Sequence, residues 1–263
     1  MLDIGLPPTL TAEIDGEIAL LRLSRPSKRN ALDLATIQGL HRFFAHLPSG
    51  VRAVVLSGEG EHFCAGLDLE DVVEPTDILE GIHHSQTWHQ AFHEIQFGRV
   101  PVVAALHGAV VGGGFELAAA THIRVAEPST YYALPEGQRG IFLGGGGSVR
   151  IPRLIGVPLV QDLMLTGRTL SAEEGRMHGA SQYLVGVGEA LPRAKALAQK
   201  IARNAEMTNF AVLHALPRIA ASDPAAGFFT ESLMAAIAAG TPEAQQRLRD
   251  FLEKRAGKVK PGV

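Results

Sequence analysis

Cysteine occurs once in 263 residues, at Cys64, so no disulfide can form within the chain and a reducing compartment suits it. A strong excess of either charge is also missing. The 24 Lys and Arg against 27 Asp and Glu leave a formal net charge of −3 and no sign of an extended nucleic-acid-binding face. That balance leaves room for a ligand with a few phosphates, which needs only a local basic cluster. No apolar run approaches bilayer-spanning length. The first residues, MLDIGLPPTL, are acidic and broken by proline, unlike a basic-then-apolar secretory signal. The expectation is a cytoplasmic protein with neither membrane nor nucleic acid as partner. What the chain does have is apolar residues, 46% of the total, enough to build a substantial core in one large domain or two small ones.

Alternation of strand and helix patterns dominates the first part. TAEIDGEIALLRLS reads as a hairpin turning at Asp15-Gly16. Helical spacing follows over 32–47, a buried strand over 51–57, a loop GEGEHFCAGLDL, a long helix over 77–97 and a strand over 102–111. A short helix over 115–121 and a strand over 122–126 complete an α/β pattern. Beyond Gly144 helices prevail, over 157–165, 171–178, 188–204, 207–222, 230–239 and 242–255, interrupted by one strand over 182–185. Ser171 and Glu174 have the spacing of a capping box. The Ala- and Leu-rich helices at the end either meet a neighbouring subunit or cap their own core.

The chemistry concentrates in HGAVVGGGFELAAA, where Gly112, Gly113 and Gly114 precede Glu116. A strand enters the glycines and a small-residue helix leaves them. Bare backbone N–H groups therefore stand at a helix N-terminus, where the dipole favours negative charge. Such a site suits an oxyanion forming on a carbonyl oxygen, with a carboxylate from the helix's first turn beside it. Other patterns point elsewhere less well. Gly144 to Gly147 lacks the lysine of a phosphate loop and reads as a close-packed helix start. His89 and His93 stand four apart, near His83 and His84, but no third ligand is evident, so no metal is expected. Cys64 lacks a histidine partner and reads as a small buried hydrophobe. No G-x-S-x-G elbow occurs.

Five strings, RLSRPSKRNALD, GEHFCAGLDL, HGAVVGGGFELAAATHIRVAE, ALPEGQRGIFLGGGGSVRIPRLIG and LTGRTLSAEEG, resemble in order successive blocks of the enoyl-CoA hydratase/isomerase (crotonase) superfamily. The resemblance runs from about Ala12 to the C-terminus. It implies an α/β fold, a crotonase-like spiral of ββα units with a helical C-terminal trimerisation region. Residues 1–190 would form the core holding coenzyme A and the active site. Residues 191–263 would serve oligomerisation, as homotrimer or homohexamer, and cover the active site.

Carried over by position, the resemblance makes the backbone N–H groups of Leu67 and Gly113 the oxyanion donors and Glu116 and Glu136 the catalytic carboxylates. It places coenzyme A and substrate against Lys28, Arg29, Ala31, Ala65, Gly66, Asp68, Leu69, Gly112, Pro135 and Gly144. Asp68 is also a candidate for orienting its loop. The basic tail, Lys254, Arg255, Lys258 and Lys260, either reaches phosphates or is solvated. Retention of both glutamates favours an enoyl-CoA hydratase, adding water syn across a trans-2-enoyl-CoA to give a 3-hydroxyacyl-CoA. Glu116 would deprotonate water and Glu136 protonate the α-carbon, although coupled carboxylates can share or exchange these tasks. No cofactor is implied, coenzyme A being part of the acyl-CoA substrate. The rival readings are an enoyl-CoA isomerase, another acyl-CoA lyase, hydrolase or decarboxylase on the same scaffold, and a non-catalytic acyl-CoA-binding protein. The chain departs from many hydratases in Leu67, where alanine is common, and in Gly137, Gln138, Arg139 and Leu143, where an apolar run and a proline are common.

Overall fold

A computed structural model describes residues 5–72, 77–253 and 255. The chain forms two compact units, Met1–Ala202 and Arg203–Val263. In the first, a six-stranded sheet has the order β1-β2-β3-β4-β6-β9. β1 (Leu10–Asp15) and β2 (Ile18–Leu23) form the expected hairpin, and every later neighbour is parallel. After β3 (Ala53–Gly58) come β4 (Val102–Leu106), β6 (Ile123–Ala126) and β9 (Tyr183–Leu184). A second sheet has the order β5-β7-β8, built from Ala109–Val111, Tyr131–Ala133 and Thr169–Ser171.

Both faces of the large sheet are covered at β2, β3 and β4, which is why these strands read as largely apolar runs, while the edge strand β1 is mostly exposed. Ala19, Leu21, Val54, Leu56, Ala104 and Leu106 belong to one core, with Phe43, Phe92 and Phe115 from α1 (Leu34–Ala45), α2 (Ile78–Gln96) and α3 (Gly113–Ala120). The alternate residues Ile18, Leu20, Ala53, Val55, Val103 and Ala105 face a second core. There Ala190, Ala194 and Ala198 recur at the helical i, i+4 spacing that lets a helix lie close on a sheet. They belong to a helix, Ala190–Ala202, that lies in the first unit.

The expected single strand over 102–111 is in fact two. The chain breaks at Gly108, whose φ of +54° takes it out of one sheet and into the other. The sign of the break in the sequence is His107-Gly108, a polar residue and a glycine set inside an otherwise apolar run. The break creates the spiral: β4, β5 and α3 make one turn, and β6 and β7 lie parallel on β4 and β5 in the next, with Val103 opposite Ile123 and Ala109 opposite Tyr131. α3 is buried along its whole length, which its Gly and Ala content permits. Arg124, fully buried, donates to the carbonyls of Thr121 (2.6 Å) and Ala180 (2.7 Å) beyond its C-terminal end. α4 (Gly147–Ile155), α5 (Val157–Thr166) and α6 (Ala172–His178) follow, the last closed by the capping box of Ser171 and Glu174; Ala190–Ala202 is α7.

The second unit is helical: α8 (Glu206–Phe210), a π-helical turn (Ala211–Ala215), α9 (Leu216–Ala221), α10 (Pro224–Ala239) and α11 (Pro242–Leu252). α10 begins six residues before the expected Thr230. Asp223 accepts from the N–H groups of Ala225 and Ala226, and Pro224 sits where a helix needs no donor. No described helix is long and apolar enough to cross a membrane.

Candidate active site

Gly112, with φ of +51°, turns the chain from β5 into α3 and leaves the Gly113 N–H at the helix's first position. A second segment, 64–68, is stitched beside it. Cys64 pairs with the β5 backbone through Ala109 (2.9 Å) and Val111 (3.1 Å). Leu32 pairs with Gly66 (2.7 Å) and Asp68 (2.9 Å) on the other side. These bonds leave the Leu67 N–H out of the ladder, and neither it nor the Gly113 N–H donates to an acceptor among the described residues. The two amides flank one gap: a Cβ placed on Gly113 would lie 3.2 Å from the Leu67 nitrogen, and one on Gly66 would lie 3.1 Å from the Gly113 nitrogen.

Two buried carboxylates meet this gap. Glu116, 4% exposed in the first turn of α3, accepts on Oε1 from the N–H groups of Gly145 (2.9 Å) and Gly147 (2.7 Å). Burial pushes its pKa up to about 7; the negative charge of Glu136 adds to this, while the two amides and Arg150 oppose it. Glu136, 6% exposed, sits on a 3-10 turn, Pro135–Arg139, with Oε1 against Gly112. Its Oε2 is buried with no partner among the described residues. Burial raises this carboxyl too, against its own backbone N–H and the charge of Arg139. The two amides favour the ionised form of Glu116 against the effect of its burial, while an oxygen without donors favours the protonated form of Glu136.

A cavity of about 320 Å³ opens onto these groups. It is lined by Glu116, Glu136, Leu67 and Gly113, and by Gly112, Ala65, Gly66, Leu69 and Gly144. Lys28, Arg29, Ala31, Asp68 and Pro135 do not line it. Arg29 accepts from Ala65 N through its carbonyl (2.9 Å), which ties the 28–31 segment to 65–69. Lys28 pairs with Glu70. Asp68 is buried and accepts from Arg25 (2.6 Å) and from the Glu70 N–H (3.2 Å), so its work in this loop is to hold it. Pro135 opens the turn that presents Glu136. Of the basic tail, Lys254, Lys258 and Lys260 lie outside the described residues, and Arg255 pairs with Asp250 and Glu253.

The family resemblance makes Trp88 and the histidines of α2 candidates for the acyl-pocket wall, and Arg139 a candidate for meeting the acyl group; Ser85, Glu80, Ile141 and Phe142 carry no local signal. Trp88, Ser85, His84 and Glu80 come from α2, and Arg139, Ile141 and Phe142 from the segment after Glu136. Gln138 turns away and donates to the Thr166 carbonyl (3.4 Å). His83, His89 and His93 do not reach the cavity, and no three His, Cys, Asp or Glu gather among the described residues. The run Gly144 to Gly147 does start a helix, but its amides serve a carboxylate, a role that needs Glu116 for a signal.

The enoyl-CoA hydratase/isomerase family model matches residues 13–260. A solved structure from Rhodopseudomonas palustris, provisionally named an enoyl-CoA hydratase, shares 54% identity and a TM-score of 0.92, covering 95% of this chain and 97% of that one. Human enoyl-CoA hydratase domain-containing protein 2, mitochondrial, is 34% identical over 251 residues, 93% of this chain and 86% of its own. The short-chain-enoyl-CoA hydratase of Clostridium acetobutylicum is 30% identical over 246 residues, 92% of this chain and 94% of its own. With a matching fold, a matching model and relatives aligned along nearly their whole lengths, the chain belongs to the enoyl-CoA hydratase/isomerase family.

Proposed function

We propose that the chain is an enoyl-CoA hydratase, adding water across the double bond of a trans-2-enoyl-CoA. The observation that carries this reading is the convergence of two undonated amides and two buried carboxylates on one cavity. The thioester oxygen would accept from the Leu67 and Gly113 N–H groups, drawing electrons from the β-carbon and holding the enolate that follows. Each such donor is typically worth about 3–4 kcal/mol in the transition state. Ionised Glu116 takes a proton from water as its oxygen bonds to Cβ. Protonated Glu136 then gives its proton to the α-carbon. The pair ends with its proton on Glu116, and one proton transfer between the carboxylates restores it.

The reaction calls for no cofactor beyond the coenzyme A that the substrate carries. The exposed Phe228, Phe229, Leu233 and Ile237 of α10 support self-association of the helical unit, as homotrimer or homohexamer. The test is loss of the conjugated-enoyl absorbance across a panel of trans-2-enoyl-CoA thioesters, with product identification. A 3-hydroxyacyl-CoA, lost in Glu116→Ala and Glu136→Ala, is the expected result. A shifted double bond, a free acid or bound but unturned thioester would replace this reading with an isomerase, a hydrolase or a binder.

A further inference from the structure

Behind the Glu116 carboxylate lies a chain of hydrogen bonds that meets the cavity only at Gly145. Gln96, the last residue of α2, accepts on Oε1 from Arg150 Nε (2.7 Å). Arg150, half-buried in the first turn of α4, donates from a terminal nitrogen to the Gly145 carbonyl (3.0 Å). The amide of the same Gly145 donates to Glu116, as does that of Gly147 (2.9 and 2.7 Å). The guanidinium also lies where a side chain on Gly146 would have to stand, so the glycine run leaves it room. One planar cation thus links the end of α2 to the loop that grips Glu116, and it is absent from the cavity lining.

We propose that Arg150 is a positioning residue for Glu116: anchored by Gln96, it fixes the Gly145–Gly147 loop so that two amides hold one carboxylate oxygen and the other faces the cavity. A guanidinium suits this place because its rigid fork can bond two acceptors at once while keeping its charge. The charged groups bearing on Glu116 are Glu136 from the 3-10 turn and Arg150 from α4. α2 presents Trp88 and Phe92 at Gly145, with His84 and Glu80 along the cavity, and Arg139 bears on Glu136. Removal of Arg150 takes away both a nearby positive charge and the brace of the cradle, so Glu116 should hold its proton to higher pH.

The catalytic consequence rests on the hydratase reading; the effect on Glu116 itself does not. The experiment is a ¹³C titration of side-chain carboxyls in ligand-free protein, with Glu116 assigned from Glu116→Gln, run on wild type, Arg150→Met and Arg150→Lys. kcat and KM for crotonyl-CoA and melting curves accompany it. In Arg150→Met the Glu116 midpoint should rise by about half a unit or more. Its kcat should fall about 10–100-fold with KM little changed, because a misplaced group loses the transition state rather than the substrate. Lysine should restore the midpoint and recover only part of kcat. Should Arg150→Met fail to fold, Gln96→Ala tests the same brace, with the same signs and smaller effects. A folded Arg150→Met with an unmoved Glu116 midpoint overturns the proposal, whether kcat is kept or falls along with melting temperature. A wild type inactive on every thioester sinks the hydratase reading alone, since the titration still decides on Arg150.

Discussion

Glu116 accepts the amide hydrogen of Gly147 over 2.7 Å, and this bond locks the first turn of α3 to the first turn of α4. The contact is so close that a Cβ on Gly147 would fall 2.5 Å from Glu116 Cγ. Gly147→Ala should therefore push the carboxylate out of its cradle and cost about 10²-fold in kcat/KM. Steady-state kinetics on crotonyl-CoA alongside a melting curve check this; a well-folded variant with full activity would show that the cradle is dispensable.

Glu116→Gln separates stability from activity. The amide oxygen can still accept from Gly145 and Gly147, so the fold keeps its bonds. Below the unfolded value of 4.5 both folded and unfolded chains hold the proton, and Glu116 costs nothing. Between 4.5 and about 7 the folded chain binds a proton the unfolded chain has lost, so wild-type stability falls as pH rises, then levels off. Glutamine should thus be more stable than wild type at pH 8 by up to about 3 kcal/mol, taking roughly 1.36 kcal/mol per unit, and no more stable near pH 4.5. Urea unfolding at the two pH values reads the difference, while hydration should drop about 10²–10⁴-fold.

The pH dependence of kcat/KM follows from the same pair. A base that must be ionised gives an acid limb, and an acid that must keep its proton gives an alkaline one. With both carboxyls raised by burial, Glu116 to about 7, a bell with one limb near neutrality is expected, its two apparent values belonging to the pair. A profile flat from about pH 5 to 9 would remove the two carboxylates from the chemistry.

The two oxyanion amides should respond oppositely to alanine. At Gly113 a methyl would meet the Trp88 ring at 2.8 Å and the Leu67 nitrogen at 3.2 Å, closing the gap between the donors. Gly113→Ala should lose about 10²-fold or more in kcat. Leu67→Ala keeps its N–H and should stay within about tenfold of wild type, with a changed acyl preference, since Leu67 lines the cavity and only its side chain changes. Equal losses in both variants would contradict a backbone role for Leu67.

Arg124 offers a test of the scaffold. Burial pushes its pKa down to about 10, and its guanidinium satisfies the carbonyls of Thr121 and Ala180. Arg124→Met should cost about 2–4 kcal/mol in chemical unfolding, because those acceptors stay buried without donors. A variant as stable as wild type would mean that the carbonyls find other donors.

Much of this was readable from residues close in sequence. The Asp15-Gly16 hairpin, the Ser171–Glu174 capping box and the glycines before Glu116 are local patterns, and local physics writes them. The division at Gly108 was easy to pass over, because β4 and β5 are both largely buried and apolar and only His107-Gly108 parts them. The grip on Glu116 was hidden for a different reason: its donors lie 29 and 31 residues away, and Gln96 stands 54 residues from Arg150. The 28–31 segment came only with the family resemblance, and the structure shows its tie to the 65–69 loop through Arg29 and Ala65.

The single thiol gives this loop a built-in clock. Cys64 is buried, donates to the Asn30 carbonyl (3.1 Å) and is held protonated by burial, with its pKa pushed up to about 12. It lies three residues before Leu67, in the same stitched segment. An alkylating reagent can react only with molecules whose loop has swung clear of β5, so the labelling rate counts how often the amide gate comes apart.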